Sequence, residues 1–232
     1  MGLKPYGQDR QAAEGFCRIT RAGGQGGKEL TKDSSAPLVL AIAAVMEVQD
    51  SEVHAHCLRV ARYAVSTARR LRLDHEELEY IEEAALLHDV GKVGVPTAIL
   101  NKPGPLTEEE YKRVKRHPVL GEGVVKKVKA LAPLAPLVRS HHEWYNGRGY
   151  PDGIAQEAIP LGARIIAVAD AFDAMTSDRP YRRAYTVEAS ARELEACAGT
   201  QFDPRVVEAF LSGVRYQLRD GSLMAAENTP PA

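Results

Sequence analysis

From Pro37 to about Leu211 the apolar residues of this chain recur at spacings of three and four, and no segment sustains the apolar-polar alternation of a half-buried strand. A period near 3.6 builds helices and a period of two builds sheets, so the pattern restricts the fold to packed helices. With 232 residues and 44% hydrophobic content, the chain can bury one generous core. The expectation is an all-α helical bundle in one domain, without internal repeats.

Ala36 to Val48 reads as an apolar helix, and Asp50 is a candidate N-cap for the next, from about Ser51 to Leu71. Asp74 can cap a helix reaching His88, with Leu78, Ile81, Ala85 and Leu86 on its inner face. Thr107 and Glu110 have the spacing of a capping box for a short helix ending near Arg116. Pro118 starts another to about Lys129, and a Pro-interrupted helix leads to His141-His142. Residues 143 to 160 form a loop rich in Gly, Pro and Asn. Leu161 to Thr176 reads as a buried helix, because Ala, Asp and Met carry the strand-like run Arg164-Ile-Ile-Ala-Val168 on to helical length. Further helices are expected at 186–197 and at 204–211, the latter capped by Asp203. Residues 1–35, with seven glycines, read as a flexible leader or linker remnant, 36–212 as the domain and 213–232 as a C-terminal tail.

A net charge of −1 and a pI near 6.7 provide no broad field for a nucleic-acid polymer or a membrane surface, so an anionic ligand must be met by a local cluster. Cys17, Cys57 and Cys197 are scattered, odd in number and in no CxxC spacing, which argues against both a disulfide framework and a thiolate zinc site. A reducing cytoplasm is the expected setting. The longest apolar run, Ala36 to Met46, is eleven residues, too short for a membrane span.

Five of the seven histidines fall in order with acidic residues: Glu52 and His56, His88-Asp89, His117, His141-His142 and Asp170. Imidazole and carboxylate suit Zn, Fe and Mn, and sites with two ions about 3.5 to 4 Å apart are suited to phosphoester hydrolysis. Adjacent ligands such as His88-Asp89 can bind two ions, or one ion from two sides. Glu52 and His56 are four apart and share a helix face. His54 lies about 160° round that helix from Glu52, an outer or surface position, and His75 sits among acids at a helix start, exposed to solvent.

His88-Asp89 follows Ala84-Ala-Leu-Leu87 and so stands at the buried end of a helix, after which Gly91 and Gly94 let the backbone turn. Lys92 is then aimed back at the ligands, where an ammonium can neutralise a phosphate oxygen. His117 precedes Pro118 at the mouth of a helix, and His141-His142 opens into the Gly-rich loop. Asp170 lies in an apolar helix, where a carboxylate needs a metal or another cation to offset its desolvation. Asp173, three residues on, either shares that face or serves as a cap or ion pair.

With these residues in place the chain resembles the HD-GYP family, the cyclic di-GMP phosphodiesterase branch of the HD phosphohydrolases, over about Ala36 to Leu211. The resemblance rests on His56-Cys-Leu-Arg-Val60, Leu87-His-Asp-Val-Gly-Lys92, Ile99-Leu-Asn-Lys-Pro-Gly-Pro-Leu106, Arg116-His-Pro118, His141-His-Glu143, Asn146-Gly-Arg-Gly-Tyr-Pro-Asp-Gly153, Ala169-Asp-Ala-Phe-Asp-Ala-Met-Thr-Ser177 and Arg179-Pro-Tyr-Arg182. It implies a helical bundle around two or three divalent ions, iron or manganese, that cleaves cyclic di-GMP to pGpG and on to GMP. The implied ligands are Glu52, His56, His88, Asp89, His117, His141, His142 and Asp170. Glu52 is the residue that points to three ions, because members without a carboxylate there hold two.

By the same resemblance Lys92, His88 and Asp89 form the catalytic group, and Lys92, Asp173, Arg179, Arg182 and Tyr150 bind substrate. The Gly149-Tyr150-Pro151 loop implies docking of partners such as diguanylate cyclases. For Tyr150 and Pro151, simple loop rigidity stands beside substrate contact. Two features depart from the family pattern: Trp144-Tyr-Asn-Gly147 replaces Trp-Asp-Gly, and a glycine-rich leader stands where members carry a receiver or sensor domain. The alternatives are a catalytically weak sensing or cyclase-docking module and a hydrolase for another cyclic nucleotide. The oligomeric state stays open, a homodimer included.

Overall fold

The computed structural model describes residues 35–49, 51–178 and 183–220. Asp50, Arg179, Arg182, most of the expected leader and the end of the expected tail lie outside these residues. Among the described residues ten α-helices form: α1 (Ala36–Gln49), α2 (Ser51–Arg70), α3 (His75–Leu87), α4 (Thr97–Leu100), α5 (Glu108–Val114), α6 (His117–Val125), α7 (Ala135–Ser140), α8 (Leu161–Thr176), α9 (Val187–Ala196) and α10 (Pro204–Asp220). Short 3-10 turns occupy Val90–Gly94, Ala132–Leu134 and Gln156–Ala158, and pairing between extended residues is limited to one isolated bridge, Ala198 to Phe202. The described chain is all-α, and none of its helices is long and apolar enough to cross a membrane.

Capping chemistry sets several helix starts. Asp74 accepts the Glu77 backbone N–H at 2.9 Å while the Glu77 carboxylate accepts the Asp74 N–H at 3.0 Å. Thr107 and Glu110 make the same reciprocal pair at α5. Caps of this kind contribute about 1 kcal/mol each.

The core forms where α2 meets α3, α8 and α10. Cys57, Val60, Ala61, Ala64, Val65 and Ala68 make the buried stripe of α2. In α8, Ile165, Ile166, Val168, Ala169 and Phe172 are all buried, which explains the strand-like composition of a helix that has neighbours on several sides. Rings of Tyr63, Phe172 and Phe210 meet at the junction of α2, α8 and α10, with centroids 5.0 to 5.8 Å apart. Such contacts add about 0.5 to 1.5 kcal/mol each beyond area burial.

Two boundaries differ from expectation. The helix expected from Pro118 to Lys129 starts at His117 and ends at Val125. The last helix continues to Asp220 and crosses the domain edge expected at 212, because Val206, Val207, Phe210, Leu211 and Val214 form one buried stripe through it.

Candidate metal centre

Three of the expected ligands are oriented by one local rule. The last carbonyls of a helix have no intrahelical N–H partner. His88 and His141 occupy the C-cap positions of α3 and α7, and His117 follows the end of α5. Each ring donates its Nδ1–H to the carbonyl three residues back: His88 to Ala85 at 2.7 Å, His117 to Val114 at 2.8 Å and His141 to Val138 at 2.7 Å. These bonds assign the tautomer and leave Nε2 as the donor atom facing inward.

His56 is held differently. Its Nδ1–H donates to Asp173 Oδ2 at 2.7 Å, and its Nε2 lies 3.2 Å from Asp170 Oδ1. Arg59, one turn along α2, donates to both Asp173 oxygens, at 2.6 and 3.0 Å. Asp173 is buried behind His56 and fixes that ring, and its carboxylate forms with Arg59 the ion pair that was one of the roles expected for it. Arg59→Met is expected to lower metal affinity about 10- to 100-fold, the usual cost of losing an outer partner, with helicity retained. Chelator competition measures this, and unchanged affinity would show that Asp173 needs no help in orienting His56.

Asp89 sits at the middle of the cluster. Its Oδ2 is 3.9 Å from His56 Nε2, 3.5 Å from His88 Nε2 and 2.5 Å from Lys92 Nζ, and its Oδ1 is 3.3 Å from His117 Nε2. Lys92 is aimed back at the ligands, as expected. Gly91 has no left-handed φ. Its missing side chain serves close packing: a Cβ there would lie 1.9 Å from the His117 carbonyl oxygen and 2.5 Å from Gly121 N. Bare backbone lets the Val90–Gly94 turn press against α6, bringing Asp89 to His117.

The electrostatics select ligating forms. Burial works to protonate Asp89, yet Lys92, His88, His117 and His56 hold it well below the usual carboxylate range. Burial likewise opposes Asp170, which His56, His88 and His142 hold low. Desolvation pushes His141 well below the ordinary imidazole value and His142 down to about 4, so both are neutral near pH 7. His56 is the exception: burial opposes its protonation, but Asp170 and Asp173 raise it to about 9, so a cation must displace the proton facing Asp170.

The donor set fits divalent ions. His117 Nε2 and His141 Nε2 lie 3.1 Å apart. With both protons committed to backbone carbonyls, two lone pairs face each other, an arrangement that a cation relieves. His88 Nε2 is buried with no hydrogen-bond partner. Among the described residues, three groups have donor atoms within 4.8 Å of one another: His117, His141 and His142; His56, His88 and Asp170; and Cys57, His88 and Asp89.

The first two groups and Asp89 comprise seven of the eight expected ligands. Glu52 is exposed in the first turn of α2 and belongs to none of the three groups. His75 is exposed, as expected, and His54 lies 3.7 Å from Glu47. Tyr150 packs its ring 4.9 Å from His142, and Lys115 lies 5.0 Å from the Tyr150 centroid on a side chain also over Tyr111. Glu143 accepts the Asp152 and Gly153 backbone N–H groups, which ties the loop to the helix end carrying His142. Asn146 keeps the turn, accepting Arg148 N–H at 3.0 Å. The sequence pointed to no site role for Arg59, and to Cys57 only as an apolar-face residue of α2. Arg59 lies one turn from His56 inside a quoted motif, the one signal that could have found it.

A family model described as an HD domain matches residues 37–206. The chain is 45% identical over 179 residues to the cyclic di-GMP phosphodiesterase response regulator RpfG of Xanthomonas campestris, covering 76% of this chain and 47% of that protein. It is 40% identical to a cyclic di-GMP phosphodiesterase of Thermotoga maritima, covering 71% and 45%. It is 37% identical to the 3′3′-cGAMP-specific phosphodiesterase 3 of Vibrio cholerae, covering 74% and 37%. The chain spans less than half the length of each of these relatives. Among solved structures, a cyclic GMP-AMP-specific phosphodiesterase of V. cholerae matches with a TM-score of 0.62 at 21% identity, covering 84% of this chain and 53% of that one. Bd1817, an HDG"Y"P protein of Bdellovibrio bacteriovorus, matches at 0.59 and 20%, covering 75% and 57%. At such identities these two likenesses concern the fold alone. The chain belongs to the HD domain family and, with its Gly149-Tyr150-Pro151 loop against the candidate ligand His142, to the HD-GYP branch of it.

Proposed function

We propose that this chain is a metal-dependent phosphodiesterase that hydrolyses cyclic di-GMP to pGpG and on to GMP, acting in the cytoplasm. The observation that carries the reading is the convergence of His56, His88, Asp89, His117, His141, His142 and Asp170, from separate segments, on one buried cluster. Relatives named as cyclic di-GMP phosphodiesterases, up to 45% identical, support the substrate. Divalent ions held there, iron or manganese in this reading, supply Lewis acidity and lower the pKa of water beside phosphorus. The water oxygen bonds to phosphorus as the bond to the 3′ oxygen breaks, and the leaving oxygen gains a proton.

The chain's own residues position and neutralise. Lys92, 30% exposed and tethered to Asp89, takes charge from a non-bridging phosphate oxygen. Arg179 and Arg182 contact guanine or phosphate, and Tyr150 borders the substrate mouth. Docking of a diguanylate cyclase on the Gly149-Tyr150-Pro151 loop belongs to the same reading, supported by the exposure of Trp144 and Arg148 on that loop.

Protein loaded anaerobically with Fe(II) or Mn(II) and given cyclic di-GMP is expected to yield pGpG and then GMP by chromatography. Binding without product under either metal would overturn the enzyme reading in favour of a sensing or docking module. The 3′3′-cGAMP-specific relatives favour a second substrate, tested by running 3′3′-cGAMP in parallel; a larger kcat/KM for it would replace cyclic di-GMP. If Glu52 holds a third ion, Glu52→Ala loses one metal per chain, and unchanged stoichiometry returns the site to two.

A further inference from the structure

Cys57 follows the ligand His56 on α2 and is 1% exposed. Its sulfur, a ring nitrogen of His88 and a carboxylate oxygen of Asp89 lie within 4.8 Å of one another. His88 commits Nδ1–H to Ala85, so the nitrogen left for this cluster is Nε2, which is buried, unpartnered and 3.5 Å from Asp89 Oδ2. An acceptor nitrogen, a carboxylate and a thiol that converge in the core, with the nitrogen unsatisfied, make a donor set for a cation.

We propose that Cys57 is a direct ligand of the metal centre. The donor atoms that lie with the sulfur are those of His88 and Asp89, so the thiolate would share an ion with these two residues, and His88 links that ion to the His56 and Asp170 group. As the metal–sulfur bond forms, the thiol proton leaves to buffer, since a coordinating thiol is deprotonated outright. A soft sulfur donor strengthens, beyond what imidazole and carboxylate ligands already give, the preference of that ion's site for Zn(II), Co(II) or Fe(II) over Mn(II). The reading of scattered cysteines as unfit for a thiolate site applies to sites built by one short motif. Here α2 and the end of α3 supply the donors from different parts of the sequence.

A ligand role for Cys57 rests on the metal-centre reading above, and the experiment separates the two. The full chain is loaded with zinc and its metal content measured, and X-ray absorption is recorded at the zinc edge. A sulfur shell at about 2.3 Å is expected in the wild type and in a variant carrying Cys17→Ser and Cys197→Ser, and is expected to vanish in Cys57→Ser. Loss of an outer partner weakens metal binding about 10- to 100-fold, so Cys57→Ser is expected to weaken it by at least that range's lower end, about tenfold. The cobalt-loaded protein provides a second readout, a near-ultraviolet sulfur-to-cobalt charge-transfer band that Cys57→Ser removes. Bound zinc with only nitrogen and oxygen scatterers in the wild type would overturn the ligand role and leave the metal centre standing. A sulfur shell that persists in Cys57→Ser would overturn it as well. Wild-type protein that holds no metal would overturn both readings.

Discussion

Asp89→Ala is expected to cut cyclic dinucleotide turnover at least about 100-fold and to lower the metal retained per chain, because the Asp89 carboxylate lies between residues of both groups. Its two oxygens face His56, His88 and Lys92 on one side and His117 on the other. Removing the carboxylate deletes a negative charge that would help to hold divalent ions in the cluster and leaves Lys92 beside several imidazoles without its 2.5 Å partner. Metal retention by elemental analysis and product formation by chromatography check both halves of the expectation. Asp89→Asn keeps the shape and removes the charge, so it should reproduce the metal loss with the fold intact. Wild-type activity and metal content in Asp89→Ala would refute the site assignment.

Gly91→Ala is expected to destabilise the protein by at least about 3 kcal/mol, at the upper end of overpacking costs. The reason is that the new Cβ meets the His117 carbonyl and the Gly121 N, backbone atoms that cannot rotate away. For a chain of this size that corresponds to a fall in Tm of roughly 6 to 12 °C by calorimetry. Any relaxation must also push His117 from Asp89, so metal affinity should fall in parallel. Gly123, exposed on α6 with nothing within 4 Å of a built Cβ, is the control. Gly123→Ala should raise stability by about 0.5 to 1 kcal/mol through helix propensity alone. A Tm for Gly91→Ala within about 2 °C of wild type, on the same size scaling, would show that the turn and α6 separate at little cost.

Much of the helical frame was legible because its determinants are local. The Asp74 cap, the Thr107 capping box and the helix Leu161–Thr176 follow from residues within a few positions of one another, although the reciprocal Glu77 half of the Asp74 cap was not anticipated. The far end of α10 was missed because the residues past 212 carry a weak pattern of their own. Their helix is stabilised where Val214 joins the stripe of Val206, Val207 and Phe210 in the core. The turn expected at Gly91 is there, within Val90–Gly94. What the sequence left open is why the residue is glycine, which is a close approach between backbones and no left-handed φ.

The sequence by itself determined the class of fold and picked out seven candidate ligands that the structure gathers in one cluster; three of them, His88, His117 and His141, follow helix ends, where a free carbonyl three residues back orients the ring without a distant partner. Only the tertiary structure decided which residues support those ligands. Arg59 and Asp173 are 114 positions apart, and Cys57 reaches His88 and Asp89 only when α2 packs on α3. Contacts of that range depend on how helices pack through their apolar faces, and the spacing of residues along one helix leaves that packing open.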